Sequence, residues 1–173
     1  MAGGKTPPRR ETKAPGDDTA PPGYWLLKTE PGCYSIDDLA RDRRTAWTGV
    51  RNYQARNYMR DAMRVGDSVL IYHSSQEPIG VAGLARISRT GVPDPTALDP
   101  KDDHYDPKAT PDAPIWVCAE VEFVQKFTNV VTLSMLKVDP ALRDLLVLKR
   151  GQRLSVMPVE PVHFDRVVQL GGA

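Results

Sequence analysis

The chain has 173 residues, 40% of them hydrophobic, enough for one ordinary domain with a real core. Its 23 basic and 22 acidic residues leave a net charge of +1, which argues against a wholesale electrostatic grip on many phosphates and leaves room for a local patch. There is no apolar run of about 18 residues to span a membrane and no apolar segment of a secretory signal near residue 1, and the two cysteines, Cys33 and Cys118, are too far apart in sequence for a CxxC site, so a reduced, cytoplasmic setting is expected.

Residues 1–22 carry five prolines among Gly, Lys, Arg and Asp and almost nothing apolar, so a disordered, solvated tail is expected there. A domain over 23–171 follows. Residues 24–29 (YWLLKT) read as a strand that Glu30-Pro31-Gly32 ends. Ser35 reads as the N-cap of a helix, with Asp38 completing a variant capping box; Asp37 and Asp38 read as first-turn acids rather than an acid/base pair. Asn52 caps a second helix, and Ala55, Tyr58, Met59, Ala62 and Met63 fall at the spacing of a buried stripe. Gly66 is its expected stop. Just ahead of this helix stands the densest chemistry in the chain, Trp47, Arg51, Asn52 and Tyr53, which packing alone explains poorly.

Residues 67–73 and 80–88 are the next strands. Gly80 and Gly83 inside the second suggest a bulge or a close approach by another backbone or a ligand. Residues 91–114 read as a long loop with six prolines, of the kind that forms a lid or a binding loop. Asp102, His104 and Asp106 on it have ligand-type side chains, but with no second cluster elsewhere no metal site is expected. Residues 115–127 are the longest strand candidate, alternating Val117, Ala119, Val121 and Phe123 against Glu120 and Glu122. A short helix at 132–137, another begun by Asp139-Pro140, a late strand at 153–157 and a closing helix from Pro161 to Gln169 complete the chain. The order lacks βαβ alternation and repeats. It predicts an α+β domain whose mixed or antiparallel strands curl into a pseudo-barrel flanked by short helices.

No hydrolase, metalloprotease, P-loop or dinucleotide motif is present. The sequence supplies instead aromatic faces that stack bases and amides, hydroxyls and guanidiniums that read base edges and hold phosphates. Trp25 and Trp116 read more simply as packing; Trp47 and Tyr72 stay open between packing and ligand contact.

Five blocks carry a resemblance. They are residues 24–31 (YWLLKTEP), 47–57 (WTGVRNYQARN), Tyr72-His73-Ser74, His104-Tyr105-Asp106-Pro107 and 152–158 (QRLSVMP). In this order they closely resemble the EVE domain family over roughly residues 24–170. Thr29 stands where the family often has Ser, and Thr48 where it often has an acid. The resemblance implies a PUA-like fold related to YTH and ASCH domains. It also implies a pocket for a modified base, such as a modified cytosine flipped from DNA, read without catalysis, metal or cofactor by a monomer. Pocket residues implied are Trp47, Arg51, Asn52 and Tyr53; Tyr72, His73 and Ser74; Lys28, Thr29 and Glu30; and Tyr105, Asp106 and Pro107 as a wall or lid. Three alternatives stay open. One is a reader of modified RNA. Another is an ASCH-like amidohydrolase of acylated nucleobases using Lys28, Thr29 and Glu30. The last is an interaction module with a filled pocket.

Overall fold

A computed structural model describes residues 20–173, so most of the expected tail lies outside the described residues. The apolar run at the start of the domain is strand β1, Tyr24–Thr29. Trp25, Leu26 and Leu27 are all buried, although successive strand residues face opposite ways, so β1 must be covered on both faces. It lies inside a six-stranded sheet with the order β2-β5-β4-β3-β1-β6. β1 runs parallel to β3 (Ser68–His73) and antiparallel to β6 (Val156–Pro158). β4 (Gly80–Pro93) and β5 (Val117–Thr132) continue the sheet antiparallel, and β2 (Arg44–Ala46) closes the far edge on β5. Edges at β2 and β6 remain, so the pseudo-barrel is an open mixed sheet.

Several expected elements differ in extent. The loop expected at 91–114 begins later, because β4 runs on to Pro93 along the long β5, pairing Val92 with Cys118 and Pro93 with Val117. The rest of that segment is compact. It makes one 3-10 turn, Pro95–Ala97, and builds a small core of its own from Ala97, Ala109 and Trp116. The late strand shrinks to the three residues of β6. Strand β2 is not legible in the sequence, since three residues are too few to show a period.

Helix α1, Ile36–Asp42, has the expected capping box: Ser35 accepts from the Asp38 amide, and Asp38 accepts from the Ser35 amide. Asp37 pairs with Lys126 across the surface at 2.7 Å. Helix α2, Tyr53–Asn57, is capped by the Asn52 side chain as expected but is only five residues long. A π turn, Tyr58–Ala62, follows, closed by the Met63 amide donating to Tyr58 O at 2.8 Å. The wider turn shifts the phase of what comes after it. Ala55, Met59 and Met63 are buried at intervals of four, Tyr58 is half-buried, and Ala62, expected in the stripe, is exposed. Gly66 (φ +94°) therefore does not stop a helix; it turns the chain into β3. Helices α3 (Leu133–Val138) and α4 (Pro161–Gly171) pack on β5, with Leu136, Phe164 and Val167 inward.

Gly80 and Gly83 mark the close approach expected of them. A Cβ on Gly83 would meet Gln125 O at 2.5 Å, and one on Gly80 would overlap Val131 O. The β4–β5 register shifts just here, between Val81 and Gly83.

Asp67 ties the start of β1 to the turn before β3. Its buried carboxylate accepts from the Gly23 amide at 2.8 Å, Trp25 Nε1 at 2.8 Å and the Arg64 amide at 2.9 Å. Each orphaned buried donor costs about 1–3 kcal/mol, and two of these three lie where water can partly replace the carboxylate. Asp67→Ala is expected to lose about 3 kcal/mol in urea unfolding, and Asp67→Asn clearly less. Equal losses for both would show that the acceptor is not what matters.

Candidate functional site

A turn ahead of α2 builds the site. Trp47 donates its amide to Ala119 O at 2.7 Å, extending the β2–β5 pairing and fixing the indole where the sheet edge ends. Gly49 then adopts φ +81°, and a Cβ there would come within 3.0 Å of the His104 ring. Glycine is therefore required twice over, by conformation and by space.

The turn is held by Asp94, a carboxylate only 1% exposed. It accepts from the Gly49 amide at 2.8 Å, Arg51 Nη1 at 2.9 Å, the Thr96 amide at 2.9 Å and the Thr96 hydroxyl at 2.7 Å. Arg51 spends its other donors on Val50 O, the Thr96 hydroxyl and His104 O, to which Nε and Nη2 donate at 2.9 and 2.7 Å. All five guanidinium N–H groups are thus engaged. Arg51 braces the turn and keeps no donor for a phosphate.

Beside this turn lies a cleft of about 390 Å³, within the range of small-ligand sites. One wall is Lys28 and Thr29 at the end of β1, with Ser155 beside them, whose carbonyl accepts from the Lys28 amide at 2.8 Å. Thr45, Ala46, Trp47, Thr48, Gly49, Val50 and Arg51 form the opposite wall, and Cys33 and Tyr34 complete the lining. The Tyr34 ring meets Trp47 edge-on, centroids 6.5 Å apart at 89°. Its hydroxyl donates to Asp42 at 3.1 Å, and burial pushes its pKa up. The Thr29 hydroxyl donates to Tyr34 O at 2.8 Å and keeps its lone pairs for an acceptor role. Lys28 is half-buried with its ammonium over the Tyr72 ring at 5.8 Å; burial lowers its pKa. No acidic side chain lines the cleft, so its one charge not matched by an internal ion pair is positive.

The structure therefore brings together Lys28, Thr29, Trp47 and Arg51 of the residues the sequence suggested. The others stand elsewhere. Asn52 is spent on capping α2. Tyr53, 60% exposed, stacks on Trp116 at 4.9 Å, with the Arg56 guanidinium 4.7 Å from the Tyr53 ring centre. Tyr72 is buried behind Lys28 and does not reach the cleft. His73 accepts from the Ile36 amide through Nε2 at 3.1 Å and lines a separate cavity of about 330 Å³ beside Asp37 and Lys126. Burial lowers its pKa, and an Nε2 that accepts from an amide is unprotonated, which makes this imidazole neutral. Ser74 donates its amide to Thr29 O, and Glu30 accepts from the Ser75 hydroxyl on the outside, away from Lys28 and Thr29. Tyr105 and Pro107 are exposed, and Asp106 accepts from Trp116 Nε1 at 2.8 Å. These three belong to the segment that braces the outer wall, and it touches the turn through His104.

Asp94 is the residue holding the candidate site together that sequence reasoning misses. A signal exists: Asp94-Pro95 repeats the Asp139-Pro140 pattern that reads as a cap, and both aspartates do cap 3-10 turns. Tyr34, Thr45, Ala46 and Val50 carry no signal beyond ordinary packing. Among the described residues no three His, Cys, Asp or Glu side chains are grouped as metal ligands.

The EVE domain family model matches residues 23–170. Human thymocyte nuclear protein 1 is 36% identical over 85% of this chain and 73% of that protein. A crystal structure of a protein from Pseudomonas putida is 49% identical, with a TM-score of 0.82 over 86% of this chain and 99% of its own. The human THYN1 protein, solved in complex with DNA containing 5-methylcytosine, is 35% identical, with a TM-score of 0.79 over 87% of this chain and 98% of its own.

The buried pair gives a pH signature. Burial alone would raise the Asp94 pKa, but donors from Thr96, Arg51 and Gly49 outweigh it and hold the carboxyl below its ordinary value. A lowered folded-state pKa stabilises the fold above the unfolded value, near pH 4. That contribution is lost as pH falls through the lower, folded value. Breaking a buried pair costs about 3–5 kcal/mol, less here because Arg51 is partly solvated. Asp94→Asn is expected to lose about 2–4 kcal/mol at pH 7 in denaturant unfolding, with the gap to the parent protein closing below about pH 4. A gap independent of pH would remove the charge from the explanation.

Proposed function

The chain belongs to the EVE domain family, and from that membership we propose that it is a reader of a modified nucleobase, a 5-methylcytosine-type base turned out of duplex DNA into the Trp47 cleft. The observation that carries this reading is the cleft itself, with aromatic walls at Trp47 and Tyr34 and unspent polar groups at Lys28, Thr29 and Ser155. The complex of the human THYN1 protein with 5-methylcytosine DNA supports the class of ligand.

The chemistry of the walls fits a cytosine. Trp47 and Val50 give a methyl group apolar neighbours. Lys28 donates to the ring's O2 and N3 acceptors. The Thr29 hydroxyl, its own proton already given to Tyr34 O, accepts from the exocyclic amine. The proposal is binding without turnover. A hydrolytic trio of Lys28, Thr29 and Glu30 is not assembled, because Glu30 stands outside the cleft on Ser75.

Stacking on an aromatic side chain contributes about 1–3 kcal/mol per base. Tyr34→Leu and Trp47→Leu are expected to lose affinity of that order for a methylated duplex and to bring the methylated-to-plain ratio close to one. Fluorescence anisotropy with matched duplexes measures this, and a thermal melt checks that the half-buried and buried positions still fold. Wild-type protein binding both duplexes equally would sink the reading. Tighter binding to a matched modified RNA in competition would move the target to RNA.

A further inference from the structure

We infer that the exposed turn at 149–153 is a phosphate grip that holds the DNA backbone beside the cleft. This rests on the reading of the cleft as a DNA-base pocket, and it adds the surface that would seat the duplex.

From Leu145 to Val159 the chain carries Lys149, Arg150 and Arg153 and no acid. Their turn is closed by the Gln152 amide donating to Lys149 O at 3.1 Å, with Gly151 at φ +76°. A Cβ on Gly151 would meet nothing within 4 Å, so the turn stands clear of the body. Lys149 is tied to Asp144 at 3.0 Å. Arg150 and Arg153 are exposed and have neither a hydrogen bond nor an ion pair among the described residues. They differ in this from Arg51, whose donors are exhausted, and from Arg41 and Arg60, which lie in surface pairs.

Position makes the pair useful. Leu154 is buried, between exposed Arg153 and cleft-lining Ser155, so Arg153 and Ser155 both lie away from the core. At most about 7 Å of chain separates their Cα atoms. The Leu154 amide donates to Gln152 Oε1 at 3.0 Å, and the Ser155 carbonyl is anchored to the Lys28 amide, which fixes the turn's root to the cleft wall. A nucleotide whose base enters the cleft thus has a flanking phosphate within reach of two free guanidiniums, which bind phosphate in bidentate fashion. Contacts of this type set position and are indifferent to the base.

The test uses the full chain, a 5-methylcytosine duplex and the same duplex without the modification, with Kd measured across a series of KCl concentrations. The R150A/R153A double variant is expected to weaken binding to both duplexes by the same factor. Each neutralised phosphate contributes about 0.9 to the log–log salt slope, so removing the two arginines that share one phosphate should make that slope shallower by about 0.9. The methylated-to-plain ratio should stay at the wild-type value. A K137A/R143A variant removes the same charge from a segment that lines no part of the cleft, and its slope should be unchanged. An unchanged slope in R150A/R153A, or an equal change in K137A/R143A, overturns the grip. Loss of the methylated preference in wild-type protein overturns the pocket reading instead and leaves the slope comparison intact.

Discussion

The cleft depends on one buried carboxylate. Asp94 closes β4, caps the turn that follows it and holds Arg51 and Gly49 from across the chain. Burying a charge is tolerated only where partners replace its lost hydration, and Asp94 has four donors within 3 Å. Because Arg51 also binds Val50 O, Thr96 and His104 O, the same knot pins the 94–116 segment against the turn that carries Trp47. A stack of Tyr53 on Trp116, with Arg56 donating to Ile115 O, fastens the outer side. The Trp47 wall is therefore held in place by contacts within the chain itself, and a wall so preorganised would lose little entropy on taking up the proposed base.

The charge arrangement follows from the same economy of donors. Arg51, though it lies at the cleft, is neutralised by Asp94 and saturated. Lys28, half-buried and facing no acid in the lining, keeps an amine that no internal ion pair occupies. Arg150 and Arg153, without partners among the described residues, sit outside it. A near-neutral chain can in this way offer one polar cleft and, in the inference above, a basic turn beside it, without the global positive field of a wholesale phosphate binder.

Much of the fold is legible in the sequence. The 24–29 strand, the Ser35 capping box, the Asn52 cap, the Gly80 and Gly83 approaches and the closing helix all follow from local rules, and the structure shows each of them. What misleads are features whose cause lies elsewhere in the chain. The π turn after α2 moves Ala62 out of the buried stripe, and β4 outruns its expected end because β5 is there to pair with it. In the candidate site, Lys28, Thr29, Trp47 and Arg51 are suggested by the sequence and line the cleft. Asn52, Tyr53, His73 and Asp106 are suggested too, but each is occupied by an internal contact: the cap that the sequence itself shows for Asn52, and long-range partners that residue chemistry alone does not reveal for the other three.

The sequence by itself determined the elements that rest on neighbours within a few residues: caps, turns, apolar strands and the family's blocks in their order. Tertiary structure decided which polar groups remain free. Asp94 meets Arg51 43 positions away, and Ser155 meets Lys28 where the chain entering β6 runs beside the neighbouring strand β1. A side chain becomes a ligand contact only when its own donors and acceptors are unspent. That depends on partners brought from distant parts of the chain, which a reading of residue types in order does not contain.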